Sequence, residues 1–319
     1  MTAYVIRRLL GLVPTLLLIT VITFVIIKLA PGDPLAQYAG ANVDPAQLAR
    51  LRQRWGLDDP LHVQYWRWLT NFLRGDLGVS LSSNRPVLAE VKERFPATAL
   101  LAASALTFAL VVAVPLGTLS ALRPRSTVDH LASGLGLMGL AMPNFWLGLL
   151  LIWVFSVRLG WLPSFGMESL DVQGGWRSAA ETGRRLIMPT VVLGTAGAAA
   201  YMRFLRASLM TVLRSDYIRT ARAAGLPEKV VLYRHALKNA LLPLITMLGM
   251  DVPVLLSGAL VTEQVFGWPG LGFYTWRSVM SRDYPAIMGV LTIAALLTLL
   301  CNLAADIAYA LLDPRIRYD

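Results

Sequence analysis

Two carboxylates lie where a charge is unfavourable, which makes them the first candidates for function. Asp251 falls near the middle of an apolar stretch, 239–262, and Glu263 directly follows it. A charged side chain within a bilayer needs water, a cavity or an opposite charge beside it, and such residues are functional candidates. Asp251 and Glu263 are therefore the candidate residues for a translocation pathway through the membrane. The alternative is a structural pairing with a neighbouring helix or chain, which is favoured for both residues.

Groups that usually carry catalysis are not arranged for it. His62, His130 and His235 fall in different loops without metal-ligand spacing. The sequence contains no G-x-x-x-x-G-K-[ST] phosphate loop and no G-x-S-x-G motif. Cys301 is the single cysteine and lies in an apolar stretch, so it supports no disulfide framework or metal cluster. The sequence predicts a protein that is not itself an enzyme and has no metal site or cofactor of its own.

The composition is that of an integral membrane protein. Hydrophobic residues make up 56% of the 319 residues and charged residues only 15%, whereas soluble domains carry about 25% charged residues. A spanning helix needs about 20 apolar residues, and six segments meet this length. The predicted spans are 9–30, 98–122, 131–157, 186–211, 239–262 and 286–311.

The distribution of basic residues predicts the topology. The segments that would lie on the same side of the membrane as the N-terminus contain many more lysine and arginine residues than acidic residues, especially between 203 and 238. The positive-inside rule then places both termini in the cytoplasm. The formal charge of +10 is spread over membrane-flanking segments, whereas a nucleic-acid binder concentrates its charge on one face of a folded domain. We therefore expect no nucleic-acid partner, and contact with membrane lipid instead.

Two polar segments interrupt the apolar pattern. The first, 31–97, contains the aromatic run WGLDDPLHVQYWRW and several turn signals, a composition unlike that of flexible linkers. We expect it to form a small helical insert on the external side. The domain organisation is then a first transmembrane helix at 1–30, the insert at 31–97, and a core of five further helices at 98–319.

The second polar segment, about 212–240, is basic and would lie in the cytoplasm. Residues 215–224 are predicted to form a helix with a face of small residues. Gly225 permits a left-handed turn and Pro227 stops the helix from continuing. A second helix is predicted at 228–240. Such a helical corner fits a groove on another protein, but a basic segment of this kind also anchors to anionic lipid, and the two alternatives stay open on shape and charge.

The same segment resembles the cytoplasmic signature loop of ABC-transporter permease subunits. The consensus has Glu-Ala-Ala, three residues and then Gly; here the positions hold Arg219-Thr220-Ala221 and Gly225. The consensus ending Ile-x-Leu-Pro is replaced by His235-Ala236-Leu237-Lys238. Both departures are similar to the peptide-importing branch, in which RTARAxGL and HALxNALLP are the usual forms.

Further motifs in the same order resemble the first permease subunit of dipeptide and oligopeptide importers, the DppB/OppB type. They cover almost the whole chain, and each alone would be weak. The motifs are APGDP, GLDDPLHVQYWRWL, GDLGVS, PNFWLGLLL, GWLPSFG, TEQVFGWPGLG, RDYP and DPRIRY.

The resemblance implies a type I ABC importer permease fold, all-α with about six transmembrane helices, in the bacterial cytoplasmic (inner) membrane. The implied partners are a second homologous permease, two ATP-binding subunits that bind ATP and Mg, and an external peptide-binding protein, which would dock on the insert as on a scoop. Asp251 would meet the α-ammonium group of a peptide or pair with the second permease. The residues implied to couple to an ATPase are Arg219, Thr220, Ala221, Ala224, Gly225 and Leu226.

Other transport functions are weighed against this one. Close relatives in the family import nickel or glutathione, so another small ligand is the first alternative. A secondary transporter would show inverted repeats with paired broken helices, and a channel would need a recognisable filter; the sequence shows neither.

Overall fold

The computed structural model describes residues 2–30, 32, 35, 45–167 and 175–312. These residues are predominantly helical, with an isolated β-bridge between Val79 and Pro86. The α-helices are α1 (Thr2–Leu29), α2 (Pro45–Arg54), α3 (Leu61–Leu73), α4 (Val87–Leu122), α5 (Thr127–Ala141), α6 (Asn144–Leu151), α7 (Gly175–Leu213), α8 (Asp216–Ala223), α9 (Glu228–Val230), α10 (Lys238–Ala240), α11 (Leu242–Leu256), α12 (Leu260–Phe266), α13 (Leu271–Met280) and α14 (Tyr284–Leu312). π-Helical turns at Ile152–Arg158 and Val231–Leu237 extend α6 and join α9 to α10.

Four of the six predicted spans are continuous apolar helices. Segments of α1, α4, α7 and α14 are long and apolar enough to cross a membrane. The predicted span 131–157 falls in a pair of helices that is bent where the two join, and most of the predicted span 239–262 falls in a second bent pair, 228–240 and 242–256. Counting each pair as one span gives up to six. The all-helical architecture predicted from the sequence is therefore confirmed. Helix α4 begins at Val87, so the helix that contains the predicted span 98–122 starts inside the segment assigned to the polar insert.

The third predicted span, 131–157, is not one straight helix. The axes of Thr127–Ala141 and Asn144–Arg158 meet at 104°. The break lies at Met142, which is extended with φ −83° and ψ 123°. The next residue is Pro143, and a proline disfavours the helical conformation of the residue before it. The apolar pattern of the sequence continues through Met142, although the backbone of this residue is not helical. The pattern alone therefore predicted one continuous span.

The fifth predicted span, 239–262, also differs from the observed helix. Helix α11 ends at Leu256, and Gly258 takes a left-handed φ of +109°. A β-carbon on Gly258 would lie 2.6 Å from the backbone nitrogen of Gly272, so the chain turns in a space that only glycine fits. Glu263 consequently lies on the separate short helix α12 and not at the end of the predicted span.

The centre of the molecule is the long contact between α4 and α7. It is the most extensive helix pair among the described residues, and two glycines allow the close approach. A β-carbon on Gly194 would lie 2.7 Å from the carbonyl oxygen of Ala105, and one on Gly117 would lie 2.9 Å from that of Met202. Gly194 begins the small-residue run GTAGAAA, and small residues let membrane helices approach closely.

Helix α3 of the polar insert packs on α1 and α14. Tyr65 and Trp68 contact the buried cluster that contains Phe24 and Met288, and the Tyr65 hydroxyl lies 2.9 Å from Thr20 Oγ1. Tyr65 and Trp68 of the aromatic run therefore anchor helix α3 to α1 and α14.

Candidate functional site

Helix α8 and its corner have the shape predicted from the sequence. The predicted helices 215–224 and 228–240 are observed at Asp216–Ala223 and 228–240, the latter with a π-helical centre. Gly225 has a left-handed φ of +76°, and Pro227 precedes the next helix. Arg222 spans the corner: its Nη2 and Nε donate to Glu228 over 2.6 and 3.2 Å. This hydrogen bond raises the pKa of Arg222 above its usual range.

The base of α8 is fixed to the body of the protein. Ile218 is fully buried and packs in a cluster with Leu209 of α7 and Ala121 of α4, against which Ala221 also packs. The amide of Asn239 donates to the Tyr217 hydroxyl over 3.1 Å. The position of α8 is therefore coupled to that of the long central helices.

The opposite face of the corner is open. Five of the six residues predicted to couple to an ATPase are exposed: Arg219, Thr220, Ala224, Gly225 and Leu226. The sixth, Ala221, is half-buried and faces the core cluster. The structure therefore combines an anchored base with an exposed tip of small and basic residues, an arrangement that can transmit force between a partner and the helices.

A buried ion pair at the same end of the molecule was not anticipated from the sequence. Arg206 of α7 binds Asp129 of α5 with two parallel hydrogen bonds of 2.7 and 2.8 Å. Asp129 also accepts the backbone N–H of Arg125 over 2.8 Å, and only 6% of its side chain is exposed. This pair joins α5 to α7 beside the cluster that holds α8.

Asp251 is partly buried on α11, beside a small cavity. The Tyr201 hydroxyl of α7 donates to Asp251 Oδ2 over 2.5 Å. The cavity, of about 160 Å³, lies between α4, α7 and α11 and is lined mainly by small and aliphatic side chains. Among the described residues, Asp251 thus has one side-chain hydrogen bond and a position at a cavity, and its transport role remains a prediction.

Glu263 is fully buried and holds three elements together. Its carboxylate accepts from Thr98 Oγ1 of α4 over 3.0 Å and from the backbone N–H of Phe273 in α13 over 2.9 Å. Thr98 accepts in turn from the N–H of Leu271 over 2.8 Å. These contacts join α4, α12 and α13 and favour the structural interpretation of Glu263 over a role in the pathway.

Gly270 provides a test of this arrangement. Its φ of −92° suits any residue, but a β-carbon would overlap both Glu263 Oε2 and Thr98 Oγ1. We expect G270A to destabilise the chain by about 1–3 kcal/mol, the usual effect of overpacking, and to lower the melting temperature measured in detergent.

The matched control is G134A. A β-carbon on Gly134 meets no atom within 4 Å, and alanine favours helix over glycine, so this variant should melt at or above the wild-type temperature. Equal melting temperatures for G270A and wild type would contradict the role assigned to Glu263.

The comparisons with known proteins agree over the full length of the chain. Residues 113–318 match the family described as binding-protein-dependent transport system inner membrane component. Residues 1–102 match the N-terminal family of the same membrane components.

Three curated relatives are similar from end to end, each covering 100% of both chains. The oligopeptide transport system permease protein AppB of Bacillus subtilis is 44% identical. The dipeptide transport system permease protein DppB of Alkalihalophilus pseudofirmus is 40% identical. The glutathione transport system permease protein GsiC of Pectobacterium atrosepticum is 43% identical.

The fold has a solved counterpart. A crystal structure of inward-facing conformations of the MetNI methionine ABC transporter aligns with a TM-score of 0.54 at 18% identity, over 70% of this chain and 96% of the other. At this identity the likeness shows the type I ABC importer permease fold alone. Together with the family matches and the apolar helices, it makes the chain a multi-pass inner-membrane protein. The chain therefore belongs to the family of inner-membrane components of binding-protein-dependent transport systems, within which it is a DppB/OppB-type ABC importer permease.

Proposed function

We propose that this chain is one of two permease subunits of an ATP-driven importer of dipeptides or oligopeptides in the bacterial cytoplasmic membrane. The observation that carries the proposal is the corner at α8, whose base is buried against the central helices while its tip is exposed. The full-length similarity to oligopeptide and dipeptide permeases supports the choice of cargo.

The remaining parts of the transporter are supplied by other chains. A second homologous permease completes the pathway, two ATPase subunits bind ATP and Mg and hydrolyse the nucleotide, and an external binding protein delivers the peptide. The family description, which names binding-protein-dependent transport, supports this assembly. The permease contributes binding surfaces and conformational change, not catalysis.

The exposed face of α8 is proposed to dock into a cleft of one ATPase. Thr220 and Ala224 offer small side chains that permit a close fit, and Leu226 adds an apolar contact at the corner. Helix-in-groove recognition of this kind relies on shape and on a few anchoring side chains. When the ATPases close on ATP, they move α8, and the buried cluster around Ile218 passes the movement to α4 and α7.

The proposed orientation places both termini in the cytoplasm. It rests on the excess of lysine and arginine on the side of α8. The insert 31–97 then lies outside, where α3 is fixed against α1 and α14 and is proposed to meet the binding protein.

Asp251 is proposed to contribute to the translocation pathway. We expect D251N to reduce peptide uptake more than assembly, because the amide removes the negative charge but keeps the size of the side chain. The measurement is ATP-driven uptake alongside co-purification with the second permease. Y201F is the control: it removes the hydrogen bond to Asp251 and leaves the carboxylate, so it should retain more uptake. Failure of D251N to co-purify would favour a structural pairing between subunits.

The proposed function is tested in proteoliposomes that contain this chain, the second permease and the ATPases. Uptake of a labelled dipeptide should require both ATP and the binding protein. Uptake indifferent to ATP would contradict the proposal and would identify the α8 corner as a lipid-anchoring segment.

A second candidate cargo is glutathione, favoured by the 43% identity to a glutathione permease; nickel is a further alternative within the same kind of importer. Labelled glutathione and nickel are therefore compared with the dipeptide in the same vesicles. Preferential uptake of either one would replace the peptide as the cargo and leave the importer mechanism intact.

A further inference from the structure

A cavity of about 770 Å³ with charged side chains in its lining lies where the first turns of α4 face α13. It is on the end of the molecule that carries the polar insert, since α4 begins there at Val87. Ligand pockets typically measure about 300–1,000 Å³, so the cavity is large enough for a small peptide. It is separate from the cavity at Asp251, which lies between the apolar parts of α4, α7 and α11.

The lining of this cavity carries equal numbers of opposite charges. Glu90, Glu93 and Arg94 come from α4, and Arg277 comes from α13. A ligand that carries both charges, such as a peptide with free termini, matches a lining of this kind because each of its ends meets an opposite charge.

Three of the four charged residues are already paired. Glu90 has only 3% of its side chain exposed and contacts both Arg94 and Arg85, the latter over 3.2 Å. Arg94 also stacks on the Tyr274 ring with its guanidinium carbon 4.6 Å from the centroid. Glu93 lies at the rim, 53% exposed, and pairs with Arg85 over 2.5 Å.

Arg277 differs from the other three. Its guanidinium carbon lies 6.0 Å from the centroid of the Phe273 ring, its side chain is exposed, and no carboxylate of a described residue lies within ion-pair distance of it. Arginine presents a planar fork of donors that matches a carboxylate with two hydrogen bonds. Among the described residues that line the cavity, Arg277 is therefore a cation whose donors are available to a ligand. The other lining arginine, Arg94, is held by Glu90 and Tyr274.

We propose that this cavity receives the carboxylate end of the peptide, and that Arg277 is the specificity-determining residue that binds it. Arg94, which stacks on the Tyr274 ring, adds positive charge to the same cavity. This inference rests on the proposed function, because it takes a peptide with a free α-carboxylate as the cargo and the insert end of α4 as external.

The test combines a change in the protein with a change in the peptide. ATP-driven uptake is measured for a labelled dipeptide and for its C-terminal amide, with wild type, R277A and R277Q in the complete transporter. Any preference of the binding protein for a free carboxylate is the same in all three and cancels in the comparison. We expect R277A and R277Q to lower uptake of the free peptide about tenfold, the scale of a lost hydrogen bond to a charged group.

The decisive quantity is the effect of amidation. In wild type, amidation should lower uptake, whereas in R277A and R277Q it should have little further effect, since the residue that recognises the carboxylate is gone. R277K keeps the positive charge and should keep part of the sensitivity to amidation. R177A is the matched control: it removes an exposed arginine from the first turn of α7 and should leave both uptake rates unchanged.

Two results would overturn the inference in distinguishable ways. If amidation lowers uptake by the same factor in wild type and both Arg277 variants, Arg277 does not bind the carboxylate, although the importer function stands. If wild type imports no peptide with ATP, the proposed function fails and this assignment fails with it.

Discussion

Replacing Arg206 by alanine is expected to cause the largest loss of stability of any single substitution considered for this chain. Its guanidinium makes two parallel hydrogen bonds to Asp129, whose side chain is only 6% exposed. R206A removes the cation and leaves the carboxylate buried without it. Breaking a buried pair in this way costs about 3–5 kcal/mol, because the remaining charge is uncompensated. Since 29% of the Arg206 side chain is exposed, the lower end of that range is expected.

The effect should extend to transport. The Asp129–Arg206 pair joins α5 to α7 next to the cluster that anchors α8, so its loss should loosen the base on which the coupling corner moves. We expect R206A to melt several degrees below wild type in detergent and to support little ATP-driven uptake. Thermal melting and uptake in proteoliposomes measure the two effects separately.

Arg203 supplies a matched control for Arg206. It lies one turn earlier on α7 and is exposed, so R203A should change stability by less than about 0.5 kcal/mol, as is usual for surface substitutions. R206K keeps a charge but not the planar fork, and it should fall between R206A and wild type. Similar melting temperatures for R206A and R203A would contradict the role assigned to the buried pair.

The pairs at Asp129 and Asp251 show which part of the site the sequence could not predict. Both carboxylates were visible in the sequence, and Asp251 was predicted as a candidate because it lies in an apolar stretch. Their partners, Arg206 and Tyr201, lie 77 and 50 residues away along the chain. Residues at such separations meet only through tertiary packing, and neither pair follows a helical spacing that a single sequence would reveal.

Local signals were sufficient elsewhere. Helix α8 and its corner were predicted closely, because glycine at a left-handed position and proline at a helix start act through their own backbone. The spans 131–157 and 239–262 were predicted as continuous because hydropathy averages over the residues at which the first span bends and the second ends early. Pro143 and Gly258 are residue types that can break a helix. Whether a proline or glycine kinks a membrane helix, ends it or is accommodated within it depends on the groups packed around it.

Glu263 shows the limit of assigning function from hydropathy. Its position after an apolar stretch made it a candidate for the translocation pathway. In the structure, however, the chain passes close to its carboxylate at Gly270 and then donates the backbone N–H of Phe273 to it. A buried carboxylate can serve as the anchor of a loop when backbone N–H groups and hydroxyls surround it. Within the motif TEQVFGWPGLG, Glu263 and Leu271 both form hydrogen bonds with Thr98, which supports a structural role for Glu263.

Replacing Gly225 by valine is expected to have the largest effect on coupling without a comparable effect on stability. Gly225 has a φ of +76°, and a β-carbon there would meet no atom within 4 Å. The cost of a side chain is therefore conformational: about 1–2 kcal/mol for leaving a non-glycine residue in the left-handed region, and more for a β-branched residue. The corner should relax by changing the angle at which α8 is presented. We expect G225V to insert and fold, to hydrolyse ATP in the complex, and to lose about tenfold or more in peptide uptake.

A comparison with G225N separates backbone conformation from side-chain size. Asparagine also places a side chain in the open space at the corner, but it tolerates the left-handed conformation far better than valine does. G225N should therefore retain most of the uptake that G225V loses, with ATP hydrolysis measured in the same vesicles. Equal losses in the two variants would mean that bulk at the tip, and not the angle of the corner, obstructs the partner. Normal uptake by both would show that Gly225 does not set the geometry of coupling, and the corner at α8 would lose its proposed role.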